Sequence, residues 1–174
     1  MSSKAPKTST GSTLPAVLDA ACGPRMFWFD RADPRALFID KRREEVFADT
    51  REGRRSIVVD PDQIADFTAL PFADNSFALV VFDPPHTFGG PNGWSTKKYG
   101  RLPESWREEI AAGFRECFRV LCPLGTLIFK WNEHRVPVST VLAMTPEKPL
   151  FGQRCGSTAR THWIVFMKPN LAGG

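Results

Sequence analysis

The stretch ALVVFDPPH, residues 78–86, decides the fold. Its first half is a short apolar run without polar alternation, which is typical of a parallel strand buried on both faces. Proline cannot donate to a sheet ladder, so Pro84 and Pro85 end the strand just after Asp83 and stiffen the loop that follows. Because open α/β sheets bind ligands at the carboxyl ends of their strands, we expect a rigid site loop at this position.

The same loop carries groups suited to holding an amine. The Asp83 carboxylate and the Pro84 carbonyl are two hydrogen-bond acceptors at fixed positions, and Pro85 has no N–H to compete for them. Together they could hold one NH2 group with its lone pair directed at an electrophile, while the flat ring of His86 stacks on the base that carries the amine. Such positioning can contribute roughly 7–11 kcal/mol to catalysis. The alternative is an ordinary strand-ending turn, in which Asp and Pro are common.

Length and composition indicate one globular domain. The chain has 174 residues, of which 42% are hydrophobic and 24% charged, values ordinary for a globular protein. No apolar run is long enough to span a bilayer and no signal-peptide pattern is present, so we expect a cytoplasmic protein without membrane contact. The four cysteines form no Cys-x-x-Cys pair and the three histidines are scattered, so we expect no metal site.

The net charge of +4 is mild, and its distribution says more than its sum. We call residues 83–86 the proline loop. Lys97 and Lys98 follow it, and no acidic residue lies between His86 and Glu104. This basic cluster is well placed to meet phosphate groups. A second basic cluster, in residues 42–55, is diluted by acidic residues, and a solvated charged face explains it equally well.

Apolar runs along the chain predict a succession of strands that end in acidic residues. The predicted strand ends are Asp19, Asp40, Asp66 and Asp83. The predicted elements are strands over 16–23, 36–40, 64–67 and 78–83, a hairpin over 46–62, a helix over 104–121, a strand over 126–131, a short helix over 137–144, and a closing hairpin of 149–154 and 161–168. The glycine-rich segment 87–102 is either a mobile lid or a surface loop. We expect residues 1–13 to be disordered and residues 14–170 to form a single domain.

This series of acid-terminated strands resembles the Rossmann-like class I S-adenosylmethionine-dependent methyltransferases over roughly residues 16–168. LPFADNSFALVVFDPP is similar to the stretch through the family's fourth strand, and CFRVLCPLGTLIF to its helix, Pro-Gly turn and fifth strand. The DPPH motif at 83–86 matches the D/N-P-P-aromatic signature of the branch that methylates exocyclic amino groups, mainly in DNA and RNA. The compact size resembles the small stand-alone methyltransferases of phages and prophages. The resemblance implies an α/β fold with a mostly parallel sheet, an antiparallel edge hairpin and helices on both faces.

The resemblance also implies which residues would bind S-adenosylmethionine. They are Asp19, Ala21, Cys22, Gly23, Asp40, Asp66 and Phe67. Asp19 and the small residues after it would hold the methionine end, where backbone can approach closely. Asp40 would accept hydrogen bonds from the ribose hydroxyls. Asp66 would bind the adenine amino group, with Phe67 packing on the ring.

The target amine would lie at the proline loop. The resemblance implies catalytic roles for Asp83, Pro84 and His86, with His86 stacking on the target. The residues expected to bind the substrate are Pro85, Lys97, Lys98, Lys130 and Trp131. Lys130 and Trp131 follow the predicted fifth strand, where Lys130 could meet a phosphate and Trp131 could wall the pocket. A structural histidine at 86 and a core tryptophan at 131 are the alternatives.

The chain departs from the family pattern at its first turn. The usual Gly-x-Gly is replaced by ACGPR, residues 21–25, and the helix that should follow is compressed into Met26–Phe29. Cofactor contacts there must differ, and Arg25 could anchor the carboxylate of the cofactor. The other departure is His86, an imidazole in place of the commoner Tyr, Phe or Trp of the motif.

Three functional hypotheses follow. The first is N-methylation of a nucleic-acid base, with adenine N6 the first choice. The small surface of the chain could call for a homodimer or a specificity partner in target recognition. The second is N-methylation of a small molecule or a protein side chain, which the absence of an obvious target-recognition domain favours. The third is a non-catalytic nucleic-acid-binding subunit with a methyltransferase-like fold.

Overall fold

The computed structural model describes residues 14–50, 53–90, 93–154 and 160–170. Three parts of the chain named above lie outside this description: residues 1–13, for which we expect disorder, the turn of the first hairpin at 51–52, and Cys155. In chain order the elements are β1 (Val17–Asp19), β2 (Ala36–Asp40), β3 (Glu44–Thr50), β4 (Gly53–Val59), β5 (Gln63–Ile64), β6 (Phe77–Phe82), α1 (Trp94–Tyr99), α2 (Trp106–Val120), β7 (Leu121–Asn132), α3 (Val138–Leu142), β8 (Phe151–Arg154) and β9 (Thr161–Met167).

A seven-stranded sheet forms the centre of the molecule, in the order β5-β2-β1-β6-β7-β9-β8. β5, β2, β1, β6 and β7 are parallel to one another, whereas β9 pairs antiparallel with both β7 and β8. This confirms the predicted mostly parallel sheet with an antiparallel edge hairpin. The chain runs from β1 outward to β2 and β5 and then returns to β6, so β1 and β6 flank the topological switch point, where such sheets bind ligands.

Apolar side chains cover the sheet on both faces. Because side chains alternate along a strand, β2 sends Leu37 and Ile39 to one face and Phe38 to the other. The first face packs against α2, whose buried stripe includes Ile110 and Phe114. The second face near β1 and β2 is covered by the turns of residues 20–35, where Trp28 packs edge-on against Phe38 at 4.8 Å between ring centroids.

The structure shortens two predicted strands. The third parallel strand, predicted over 64–67, is only Gln63–Ile64, because the Asp66 carboxylate accepts hydrogen bonds from the backbone N and the hydroxyl of Thr68 and turns the chain away. The first strand ends at Asp19, and the residues after it form a turn.

A separate hairpin, β3–β4, is inserted between β2 and β5. Its two strands pair in continuous antiparallel register, which confirms the predicted hairpin. One face buries Ile57 and Val59, while Phe47 and Val58 on the other face are about half exposed. Lys97 of α1 donates a hydrogen bond from Nζ to the carbonyl of Phe47 at 3.1 Å, so the hairpin contacts the glycine-rich segment.

Gly113 lets α2 approach the sheet closely, and its replacement is expected to destabilise the protein. A β-carbon there would lie 2.5 Å from Cζ of Phe82 and 2.8 Å from Cδ2 of Phe67, closer than packed carbon atoms come. Because both rings are buried and cannot move freely, we expect Gly113→Ala to cost about 1–3 kcal/mol. Urea unfolding measures the loss, with Gly90→Ala as control, because a β-carbon there would lie more than 4 Å from every described atom outside residue 90 and its two chain neighbours. Equal stability of Gly113→Ala and wild type would contradict this packing.

None of the helices in the described part of the chain is both long and apolar enough to cross a membrane.

Candidate functional site

A cavity of ≈ 260 Å³ opens at the carboxyl ends of β1, β2 and β6, at the switch point of the sheet. We call it the first cavity. It is lined by Ala20, Ala21, Cys22, Gly23, Pro24, Met26, Phe27, Asp40, Lys41, Arg42, Phe67, Asp83, Pro84, Pro85, His86, Lys98, Tyr99, Gly100, Arg101 and Lys130. The predicted residues Ala21, Cys22, Gly23, Asp40 and Phe67 are therefore brought together with the proline loop.

An ion pair lies at the centre of this site. β6 and β7 run parallel with Phe82 opposite Phe129, so the next residues, Asp83 and Lys130, are neighbours. Lys130 Nζ lies 2.6 Å from Asp83 Oδ2, and both side chains are mostly buried. The other carboxylate oxygen, Asp83 Oδ1, is buried and has no hydrogen-bond partner within the described residues. Such an oxygen is costly to leave without a donor, which marks this position as a binding site.

Burial raises the pKa of the Asp83 carboxyl, and the Lys130 ammonium opposes that rise. His86, three residues further along the loop, contributes in the same direction as Lys130, since its charged form would stabilise the carboxylate. Lys130 is therefore the group that does most to keep Asp83 ionised in this buried position.

His86 packs near two aromatic rings. Its ring centroid is 5.6 Å from that of Tyr99 and 6.2 Å from that of Trp131. Its Nδ1 is buried, without a hydrogen-bond partner in the described part of the chain. Burial lowers the pKa of His86 more than the neighbouring Asp83 charge raises it. The imidazole is therefore neutral at physiological pH and presents an uncharged flat ring.

A second cavity of ≈ 540 Å³ adjoins the first and shares with it His86, Tyr99 and Lys130. Its other lining residues are Thr87, Phe88, Gly89, Asn132, His134, Arg135 and Thr161. No carboxylate is among these lining residues, their charged or imidazole side chains are basic, and the aromatic rings of Phe88, His86 and Tyr99 offer flat surfaces. The second cavity therefore suits a planar ligand that carries negative charge.

Asp40 holds the turn that follows β1. Its Oδ2 accepts a hydrogen bond from the backbone N of Gly23 at 3.0 Å, and its Oδ1 accepts from the backbone N and Nε of Arg42 at 2.9 and 3.2 Å. Gly23 has φ of 47°, a left-handed conformation that favours glycine. Since a carboxylate offers about four acceptor positions, Asp40 keeps capacity for one further donor in the first cavity.

Asp19 does not line the first cavity, in contrast to the role that the resemblance implied. It is completely buried. Its Oδ2 accepts from Nε1 of Trp28 at 2.7 Å and its Oδ1 from the backbone N of Ala21 at 3.3 Å. Burial raises its pKa to about 7. Asp19 therefore shapes the turn from beneath, and the turn's backbone faces the cavity.

Three further predicted site residues lie away from both cavities. Asp66 is occupied by its turn with Thr68. Lys97 reaches the β3–β4 hairpin, as described above. Trp131 is completely buried, stacks on Phe129 with ring centroids 6.0 Å apart, and donates from Nε1 to the carbonyl of Val136. Trp131 thus packs against His86 from the core and does not line either cavity.

Arg25 also serves the fold. Its guanidinium donates to the carbonyls of Arg31 and Asp60, pairs with Asp62 and stacks over Phe38, with Cζ 3.9 Å from the ring centroid. It is buried in these contacts and lies outside the lining of the first cavity, so it does not anchor a carboxylate there.

Sequence reasoning missed Tyr99, which lies in the glycine-rich segment. Within it, α1 carries Tyr99 into the wall shared by both cavities. Gly100 follows with φ of 82°, and a β-carbon there would lie 3.0 Å from Cγ of Pro85, so glycine lets α1 pack directly on the proline loop. A lone tyrosine among glycines in a basic stretch, KKYGR, was the available signal.

In the described residues, no three His, Cys, Asp or Glu side chains come together as a metal site requires.

The chain has the Rossmann-like fold of S-adenosylmethionine-dependent methyltransferases. This class of fold is defined by the order of the strands, by the switch point and by the cavities at the strand ends. Solved structures of that class superpose on the chain. An S-adenosylmethionine-dependent methyltransferase from Methanosarcina mazei is 12% identical, with a TM-score of 0.52 over 88% of this chain and 92% of that one. A TehB-like S-adenosylmethionine-dependent methyltransferase from Corynebacterium glutamicum is 14% identical, with a TM-score of 0.52 over 91% and 82%.

The N-methyltransferase NodS from Bradyrhizobium japonicum is 12% identical to this chain, with a TM-score of 0.51 over 88% of this chain and 84% of NodS. Neither a protein-family model nor a curated protein matches the sequence. The chain therefore shares the methyltransferase fold, and the chemistry of its site has to be argued from its own residues.

Proposed function

We propose that the protein is an S-adenosylmethionine-dependent N-methyltransferase that acts on an exocyclic amino group of a nucleic-acid base, with adenine N6 as the first candidate. The observation that carries this proposal is Oδ1 of Asp83, a buried acceptor without a hydrogen-bond partner in the described residues. Asp83 lines the first cavity, and its ion-pair partner Lys130 lines both cavities. The first cavity would take the cofactor and the second the base. An amine held at Asp83 would then lie between them.

The first cavity suits S-adenosylmethionine, which would supply an electrophilic methyl group on a positively charged sulfur. The small residues from Ala20 to Gly23 leave backbone accessible to the methionine end. Asp40 offers its remaining acceptor capacity to the ribose hydroxyls, and Phe67 offers an apolar surface to the adenine ring. This assignment replaces Asp19 and Asp66, which lie outside the cavity.

Asp83 and Pro84 would orient the amine for direct transfer. One N–H would donate to Asp83 Oδ1 and the other to the Pro84 carbonyl, which leaves the lone pair free. With S-adenosylmethionine bound, this lone pair would form the new N–C bond, and the electrons of the broken C–S bond would remain on sulfur. Asp83 Oδ1 then accepts the proton that the positively charged nitrogen releases, and passes it to solvent. Neither a metal nor a covalent enzyme intermediate takes part in this sequence.

The second cavity supports a nucleotide as the acceptor. His86, Tyr99 and Phe88 could stack on a base, and stacking contributes about 1–3 kcal/mol per base in single-strand binders. Arg135 and His134 are placed to meet phosphate. A base within a duplex would first have to be flipped out, which costs a few kcal/mol.

Transfer of labelled methyl groups to a panel of acceptors tests the proposal. The panel contains DNA and RNA, single- and double-stranded, the free nucleosides, and a protein extract. We expect label on a nucleic-acid base, with binding that weakens steeply as salt rises because phosphate contacts release counterions. Label on protein or on a small amine would contradict the nucleic-acid acceptor. Failure of millimolar S-adenosylmethionine to bind in calorimetry would contradict both the enzyme and the cofactor.

A further inference from the structure

We propose that Lys130 makes the reacting centre selective for neutral aromatic amines and excludes alkylammonium groups. This inference rests on the proposed function, since it concerns which amines reach Asp83. It is carried by the ion pair of Lys130 with Asp83 and by the distribution of charge over the two cavities.

The carboxylates that line the cavities are already paired with basic side chains. In the described lining they are Asp40, which pairs with Arg42 at 3.2 Å, and Asp83, which pairs with Lys130 at 2.6 Å. The remaining charged lining residues are basic: Lys41, Lys98, Arg101 and Arg135. A cationic amine would therefore meet an excess of positive charge, to which the sulfonium of the cofactor adds.

The charge state of the acceptor amine decides whether the excess of positive charge in the cavities affects its binding. An alkyl amine resembles the lysine side chain, whose pKa is about 10.4, and is protonated at pH 7. It has no lone pair until it loses a proton, and an unpaired carboxylate would be needed to bind it. The exocyclic amine of a base is neutral, keeps its lone pair, and requires only hydrogen-bond acceptors.

Lys130 also limits how Asp83 can bind. The Lys130 ammonium occupies Oδ2, so the acceptor that remains is Oδ1, which is buried and has no partner in the described residues. The titratable groups that face Asp83 are Lys130 from β7, His86 from the proline loop and Asp19 from the end of β1. Of these, Lys130 carries the full positive charge that offsets the Asp83 carboxylate, so its removal would leave a bare anion at the reacting centre.

The surroundings of Lys130 suggest a variant that keeps the packing. Its Nζ lies 5.5 Å from the ring centroid of Phe27 and 5.8 Å from that of Trp163, so an apolar side chain of similar length fits the same space. Lys130→Met removes the charge and keeps the stem. Lys130→Arg is the matched control, because it retains a cation that can pair with Asp83.

The experiment compares two nucleosides that differ in the charge of the amine. Adenosine has a neutral 6-amino group, and 6-aminomethylpurine riboside places an alkylammonium one methylene further out. Binding of each is measured by calorimetry with S-adenosylhomocysteine present, and methyl transfer is measured as a function of pH. We expect the wild type to bind adenosine at least about 30-fold more tightly than the ammonium nucleoside, the lower end of what an uncompensated charge costs at a desolvated contact.

Lys130→Met is expected to reduce this preference at least tenfold. The acid limb of its pH profile for adenosine should also move to higher pH, since the ammonium no longer holds Asp83 ionised and Asp83 accepts hydrogen bonds as a carboxylate. Lys130→Arg should keep both the binding preference for adenosine and the position of the acid limb in the pH profile. Equal binding of the two nucleosides by a wild type that methylates adenosine would refute only the role of Lys130, as would a Lys130→Met variant with unchanged preference. A wild type that methylates no base would refute the proposed function and this inference together.

Discussion

Replacement of Asp83 by alanine is expected to abolish methyl transfer, with kcat/KM reduced by about a thousandfold or more. The variant loses the acceptor that orients the amine and leaves Lys130 without its partner. Binding of S-adenosylmethionine should change by less than about threefold, because the turn after β1, Asp40 and Phe67 remain in place.

Asp83→Asn separates charge from shape in the same test. The amide keeps the volume and one oxygen, but it cannot accept the proton that the methylated nitrogen releases. We expect it to lose less transfer activity than Asp83→Ala, because its amide oxygen can still accept a hydrogen bond from the amine, as the Asn of the D/N-P-P-aromatic signature would. Calorimetry for the cofactor and labelled methyl transfer to the best acceptor measure the two properties separately.

Asp74→Ala is the matched control for both variants. This largely exposed acid precedes the amino end of β6, whereas Asp83 follows its carboxyl end. It should leave binding and transfer unchanged. If Asp83→Ala lost cofactor binding and transfer in equal measure, Asp83 would belong to the cofactor site and the assigned role would be wrong.

The site loop was predictable from sequence because its determinants are local. A run of apolar residues fixes β6, and Pro84 and Pro85 fix where it ends, with no distant residue needed. The same holds for Asp40, which lies at the end of β2 and lines the first cavity as expected. Position at a strand end, however, did not determine which way a side chain faces.

Asp66 and Trp131 show why some predicted site residues lie outside both cavities. The hydrogen bonds of Asp66 to Thr68 compete with strand formation and turn the chain early. Trp131 alternates with Lys130 along β7, so when Lys130 faces the cavities, Trp131 faces the core. Lys130 pairs with Asp83, 47 residues away, because of the β6–β7 register, and this register cannot be read from the sequence alone.

Asp19 is the residue for which sequence and structure give the most different expectations, and its burial has a measurable consequence. Burial raises its pKa from 3.8 to about 7, so the folded state binds this proton more tightly than the unfolded state. The stabilisation is complete below the unfolded pKa and is lost as pH rises through about 7. The free energy of unfolding is therefore expected to fall by about 4 kcal/mol over this range because of Asp19 alone.

Asp19→Asn removes this titration, since the amide is neutral at every pH. Urea unfolding from pH 4 to pH 8 should show a flatter profile for the variant. Its stability should be lower than that of wild type at pH 4, because the amide NH2 cannot accept the hydrogen bond of Trp28 or Ala21 that an Asp19 oxygen accepts. Trp28→Phe should extend the wild-type slope to higher pH, because the lost indole N–H no longer lowers the pKa of Asp19. Cofactor binding by Asp19→Asn should stay close to wild type, as the carboxylate does not face the cavity. Loss of that binding, with no change in the pH profile of stability, would return Asp19 to the cofactor contact that the family resemblance implied.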